Sequence, residues 1–335
     1  MADYIITWLY AESPDDESYY PSVGGNTSSA GFQEVYWRCV YVFYKSALLT
    51  QKNQSVQYMF FTNVFDIPTD VGGVNICRFF DDNNVRVQRL ELTNRTPKDW
   101  YGAWRNQFFL FDILRYLQDV DGNFLILDSD CFITKDLSRV FKEIEEKKIV
   151  SFKGKGHGLD YPVNGISTAQ MRMLYQEFFG EASELEYKGG EWIAVNSSMV
   201  PRIINEYKKL WKLNYQKYLS QEVKLNEEAH FLSMIYVRLG HQESAGDQYI
   251  KRMWTAVRYD NVVASDVEFP IWHLPAEKKY GFKKMFFYFK TEPTQGQYLD
   301  RLKKTIGVLE NRNWRKLKKA RIKIKEKLCE HFNRT

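Results

Sequence analysis

The chain has 335 residues, 44% of them hydrophobic and 16% aromatic, which is enough for one large core or two modest domains. Its net charge of +5 is uneven: residues 301–335 hold 13 of the 47 basic and 3 of the 42 acidic residues, a tail of +10 on a body of −5. The four cysteines lie far apart without a C-x-x-C pair, so neither a zinc site nor a disulfide framework is signalled and a reducing compartment fits; no run approaches the ~18 apolar residues of a membrane span, and "MADYIITWLY" lacks the marks of a signal peptide.

In chain order, "YIITWLY" (4–10) reads as a first buried strand, followed by a polar Gly/Ser-rich loop, "ESPDDESYYPSVGGNTSSAG". "FQEVYWRCVYVFYKSALLTQ" reads as a helix, "VQYMFFTN" (56–63) as a second strand, "VGGVNICRFF" as a short helix and "VRVQRLEL" (85–92) as a third strand. "DWYGAWRNQFFLFDILRYLQD" (99–119) has the apolar spacing of one long helix. "NFLIL" (123–127) is the fourth strand, "LSRVFKEIEEKK" a helix and "IVSF" a fifth strand. Strands alternating with helices of these lengths predict an α/β fold on a mixed, mainly parallel sheet. Ligands of such sheets bind outside the carboxyl ends of the strands.

The second half is less regular. "GISTAQMRMLYQEFF" is helical, "KGGEWIAVNSSM" a Gly-Gly turn into a strand, and "VPRIINEYKKLWKLNYQKYL" a helix with Pro201 near its start. "NEEAHFLSMIYVRLG" is another helix, closed by Gly240. There is no composition break before about residue 295, so 1–294 reads as one domain and 295–335 as a C-terminal extension. In that extension Trp314, Leu317, Ile324 and Leu328 lie at roughly helical spacing among Lys and Arg, with Ile322 off the stripe. A basic amphipathic helix of this kind predicts an anionic membrane surface as partner. Nucleic acid is not expected, because the acidic body has no basic face interleaved with aromatics.

"NFLILDSDCFI" carries Asp128 and Asp130 to the end of an apolar strand. Two carboxylates two residues apart repel, and desolvating them is costly. A hard divalent ion removes the problem, since Mg²⁺ or Mn²⁺ typically takes one or two carboxylates plus substrate phosphates. The competing readings are a helix cap or a bond to Lys135, a calcium loop, and a phosphatase of the haloacid-dehalogenase type. The calcium loop fails because its sixth and twelfth positions would be Ile133 and Arg139. The phosphatase motif usually continues with a small pair on a first strand, where this chain has Cys131-Phe132 on a fourth.

"WRNQFFLFDILRYLQDVDGNFLILDSDCFITKDLSRVF" resembles the Asp-x-Asp segment of GT-A fold glycosyltransferases, most of all the glycogenin and lipopolysaccharide-galactosyltransferase family. "KGGEW" resembles that family's glycine loop, "NEEAHFL" its acidic segment at a helix start, and "IWHLPAEKKYGF" its C-terminal His segment; the resemblance covers residues 1–285. It implies a metal-dependent sugar transfer from a nucleotide-diphospho-sugar, with UDP favoured, to a glycan or glycolipid hydroxyl. The implied metal ligands for Mn²⁺ or Mg²⁺ are Asp128, Asp130 and His273. Asp128, Ser129, Arg105, Gly190, Lys278 and Lys279 would contact the donor, and Glu228 and Glu227 form the acidic catalytic pair. The departures are "NEE" where the family has Asp-Gln-Asp, and a Lys pair before Tyr-Gly-Phe where it has a later Lys-Pro-Trp. A cytoplasmic protein held at the inner face of the cell membrane, glycosylating a lipid-linked envelope glycan, is the expected setting.

Overall fold

The computed structural model describes residues 1–20, 23–53, 55–103, 105–154 and 158–332, with side chains as far as Ile324. Trp104 and the side chain of Leu328 fall outside these. Six strands form the central sheet: β1 (Ala2–Leu9), β2 (Gln57–Thr62), β3 (Val85–Arg89), β4 (Gly122–Leu127), β6 (Ile149–Val150) and β9 (Trp192–Asn196), in the order β3-β2-β1-β4-β9-β6. The pairs among β3, β2, β1 and β4 are parallel, whereas β9 runs antiparallel to both β4 and β6. The sheet is thus mixed and mainly parallel, as expected. A three-stranded sheet joins β10 (Ile250–Arg252), β11 (Ile271–His273) and β5 (Cys131–Ile133), and β7 (Pro162–Val163) pairs with β8 (Ile166–Ser167) in a small hairpin.

Strand alternation divides the core between two faces. Ile5, Phe60, Leu125, Leu127, Trp192 and Ala194 point to one side. There they meet α1 (Ala30–Thr50), α2 (Ile76–Asp82), α4 (Ser138–Lys147), α8 (Gly281–Phe289) and α9 (Gln295–Ile306). Ile6, Phe61, Phe124, Ile126, Ile193 and Val195 point to the other side. That side is covered by α3 (Phe109–Leu117), α5 (Thr168–Phe179), α6 (Val200–Leu219) and α7 (Glu228–Arg238). Every residue of β4 is buried, which is why that strand reads as a continuous apolar run rather than an alternating one.

Two expectations change. The helix read over 99–119 is confined to Phe109–Leu117. The residues before it form an irregular wall instead: Gly102 O accepts Tyr19 N–H at 3.0 Å, and the Trp100 indole donates to Asn226 O at 3.1 Å. Helical spacing of aromatics here reflects packing of Trp100 and Phe108 against Trp211, not a continuous helix. The extension is also more integrated than its composition implies. Tyr298, Leu302 and Ile306 of α9 are buried in the core, and the Tyr298 hydroxyl donates to Ile133 O. Exposed apolar residues become prominent only around α10 (Arg312–Phe332). No helix among the described residues is long and apolar enough to cross a membrane.

Candidate functional site

The mixed sheet explains how distant segments converge. β4 ends at Leu127, opposite Trp192 at the start of antiparallel β9. Glu191 and Gly190 therefore lie beside Asp128, and Asp128 N–H donates to Glu191 O at 3.3 Å. In the second sheet β11 runs antiparallel to β5, pairing His273 with Cys131. That places His273 next to Asp130, whose carbonyl accepts Leu274 N–H at 3.0 Å. A tight turn, closed by Cys131 N–H on Asp128 O at 3.1 Å, puts both aspartates on the same side.

Asp128, Asp130 and His273 each offer a ligand atom, all within 4.8 Å of one another. His273 Nε2 is 3.2 Å from Asp130 Oδ2 and 3.8 Å from Asp128 Oδ2. His273 Nδ1 faces Glu191 Oε1 at 3.2 Å, and Arg252 grips Glu191 through both carboxylate oxygens. A carboxylate on the far nitrogen fixes the imidazole and leaves Nε2 directed at the aspartates, the arrangement found around metal-bound histidines. Two carboxylate oxygens and an imidazole could hold a divalent metal ion.

Two cations of the protein stand against these aspartates, Lys278 and His273. The Lys278 ammonium pairs with Asp130. Burial would raise the Asp130 carboxyl, but Lys278 and His273 outweigh it and hold it well below its usual range. Burial alone would lower His273; Asp130 and Glu191 reverse this and bring it up to about 9. Asp128, with burial and Asp130 acting against its ionisation, is pushed up to about 6. The bland alternatives for this pair lose their partners: Lys135 bonds Glu268 at 2.8 Å, and it is Asp136 that accepts Ser138 N–H at the start of α4.

A cleft opens at the aspartates, lined also by Tyr36, Asn106, Gln107, Gly190, Glu228 and Lys278. A Cβ on Gly190 would meet Glu228 Oε1, so a side chain there would displace the Glu228 carboxyl. Among the described residues, Glu228 Oε2 and Gln107 Oε1 are buried without a hydrogen-bond partner, and both residues line the cleft. Burial, then Glu227 and Asp128, push the Glu228 carboxyl well above its usual range.

Other anticipated residues take other places. Glu227 turns away from the cleft to Asn164 and to the Tyr187 hydroxyl, 3.0 Å away. Arg105 donates to Thr96 O at 2.6 Å and to Glu17 O at 3.4 Å, bracing the wall rather than lining the cleft. Ser129 is buried in the Asp-x-Asp turn and lines the cleft. Lys279 is outside the lining, which takes only Lys278 of the pair. Glu191, Arg252 and Gln107 were not anticipated. Glu191 stood in the quoted "KGGEW", but its role depends on antiparallel pairing that spacing does not reveal.

No family model and no curated protein matches the chain. Among solved structures, it is similar to the galactosyltransferase LgtC in complex with donor and acceptor sugar analogues, at 13% identity and a TM-score of 0.40 over 70% of each chain. It is similar to mouse xyloside xylosyltransferase 1 at 9% identity and 0.47, covering 81% of this chain and 97% of that one. A third is the glycosyltransferase GlyE of Streptococcus pneumoniae TIGR4, at 12% identity and 0.44, covering 91% and 64%.

Proposed function

We propose that the protein is a metal-dependent glycosyltransferase that takes a sugar from a nucleotide-diphospho-sugar, a UDP-sugar by its family resemblance, and passes it to an acceptor hydroxyl. The observation that carries this reading is the approach of His273 to Asp130 beside a cleft that Asp128, Asp130 and Glu228 line. Asp128, Asp130 and His273 would hold the divalent ion, which when bound supplies Lewis-acid stabilisation of the departing diphosphate. Glu191 and Arg252 keep His273 oriented. Lys278 adds a second positive charge for the diphosphate once Asp130 is engaged elsewhere. If transfer inverts the sugar's configuration, Glu228 would take the acceptor's hydroxyl proton, and if it retains it, Glu228 would position the acceptor; burial, Glu227 and Asp128 hold back its ionisation, so neutralising Asp128 favours its basic form.

Asp130→Ala tests the reading. It is expected to reduce transfer more than about 10³-fold while the far-UV circular dichroism stays that of the native protein. A folded variant with native activity would refute it.

The setting we propose is an anionic membrane bearing a lipid-linked envelope glycan, approached from the cytoplasmic side. On α10, Trp314, Leu317 and Ile324 are 62%, 53% and 60% exposed. Arg315 and Lys319 of the same helix instead reach acids of the body. Ile322 also faces inward, beside Arg315 and Lys319, which explains why it falls off the outer stripe. An apolar stripe among cations suits an interface. The pair Trp314→Ala and Leu317→Ala is expected to weaken binding to phosphatidylglycerol vesicles at least about fivefold; unchanged binding would remove the membrane from the account.

A further inference from the structure

The C-terminal helix reaches the wall behind His273 through one side chain. Arg315 of α10 and its partner Asp260 are 3% and 2% exposed. The five N–H groups of the guanidinium all have acceptors. Nε and Nη2 fork onto Asp260 at 3.0 and 2.8 Å, Nη2 also donates to Val262 O at 2.7 Å, and Nη1 donates to Gly307 O and Glu310 O. Arg315 thus joins α10, the end of α9 and the loop that follows β10. Asn261 closes that loop on itself. Its side chain accepts Trp254 N–H at 2.8 Å and donates to Arg252 O at 3.0 Å, and its own N–H donates to Trp254 O at 3.1 Å. β10 has three residues and lies at the edge of its sheet. So short an edge strand has few ladder bonds of its own, and the loop after it decides where it sits. Its last residue, Arg252, is paired with His273 in the sheet and grips Glu191, whose Oε1 faces His273 Nδ1 at 3.2 Å. The next residue, Met253, donates its N–H to His273 O at 2.8 Å. Two consecutive residues therefore hold His273, one toward its ring and one at its backbone, and both lead into the loop that Arg315 clamps.

We infer that Arg315 is a positioning residue for His273: by clamping Asp260 from the C-terminal helix, it fixes the loop whose Asn261 and Met253 hold Arg252 and the His273 backbone in place. The physical reason is the cost of a broken buried pair. A buried carboxylate that loses its cation is left uncompensated, and the segment carrying it must take up a proton or move toward water. Here that segment is the loop behind His273. Partners that orient a metal-bound histidine typically set metal affinity by about 10- to 100-fold, and Arg315 stands directly behind those partners. The inner side of α10 is in this way part of the frame of the metal site. The metal itself rests on the glycosyltransferase reading; the bracing of His273 by Arg315 does not.

Two readouts in the full chain test it, one of them without metal. Hydrogen–deuterium exchange at the Met253 amide in the metal-free protein is expected to quicken about tenfold in Arg315→Met. Mn²⁺ affinity, measured by electron paramagnetic resonance, is expected to fall about tenfold in the same variant. Arg315→Lys keeps the charge but not the fork, and the loss there is expected to shrink to about threefold. Asn261→Ala leaves Arg315 on Asp260 and cuts the link to Arg252. It is expected to move both readouts the same way, with Mn²⁺ affinity down about fivefold, and it decides the question should Arg315→Met not fold. Leu302 is buried on the inner side of α9; Leu302→Ala loosens the same extension without touching the clamp, and both readouts are expected to stay within about twofold of wild type. Native exchange at Met253 in folded Arg315→Met and in Asn261→Ala overturns the inference. So does native Mn²⁺ affinity in both where the wild type binds the ion, or an equal loss in Leu302→Ala. Failure of the wild type to bind Mn²⁺ counts against the metal reading alone, since exchange at Met253 still reports the brace.

Discussion

Two acidic pairs stand near one cleft, and the protein treats them in opposite ways. Asp128 and Asp130 are surrounded by cations: His273, Lys278 and, behind Glu191, Arg252. Glu227 and Glu228 have neutral company, with Asn164 and Tyr187 on the first and nothing on Oε2 of the second. In the first pair Lys278 and His273 keep Asp130 charged while burial and Asp130 raise Asp128; in the second, burial pushes both carboxyls toward the neutral form. Adjacent carboxylates in a sequence therefore do not define a single chemistry. The neighbours decide, and at the first pair they come from β11 and from the turn after it, far along the chain.

The comparison can be broken at its strongest point first. Asp130→Ala removes a proposed metal ligand and carries the largest expected loss, more than about 10³-fold in transfer. Glu228→Gln keeps the shape of the side chain but removes its basic form, so transfer should drop about 10²-fold, while UDP affinity in Mn²⁺ stays within about twofold of wild type. Equal losses in rate and in donor affinity would move Glu228 out of the catalytic step.

The smallest effect belongs to Glu227. Its carboxyl is pushed up to about 7 by burial, from an ordinary value of 4.5. Between these values the folded state holds a proton that the unfolded chain has released. The contribution to stability is therefore full below about pH 4.5 and is lost as the pH rises to about 7. Across that window, unfolding free energy should fall by up to about 1.4 kcal/mol per pH unit. Glu227→Gln should flatten that slope in urea unfolding at several pH values, and should alter transfer less than about threefold because the side chain lies outside the cleft. Parallel pH profiles for wild type and variant would contradict the assignment.

Much of the fold was legible because β1, β2 and β4 carry local signals: apolar runs of strand length between helices with helical periodicity. The aspartates were legible for the same reason, standing where a buried strand meets the ligand edge. What spacing could not supply was direction. That β9 and β5–β11 pair antiparallel is settled by tertiary packing, and it is this that makes Glu191 a partner of His273 and brings Gly190 against Glu228. The segment before α3 misled because Trp100 and Phe108 are apolar for the sake of Trp211, not of a helix face. The basic extension misled in part because Arg315 and Lys319 look like solvated charges, yet they bond buried acids some 40 to 55 residues away.

The central claim is that Asp128, Asp130 and His273 hold one divalent ion for the donor's diphosphate. Mn²⁺ titration followed by electron paramagnetic resonance, with and without UDP, tests it most directly. The account predicts one site that tightens when UDP is present, that is lost in Asp130→Ala and His273→Ala, and that persists in Glu228→Gln. Mn²⁺ binding of equal strength in wild type, Asp130→Ala and His273→Ala would contradict it.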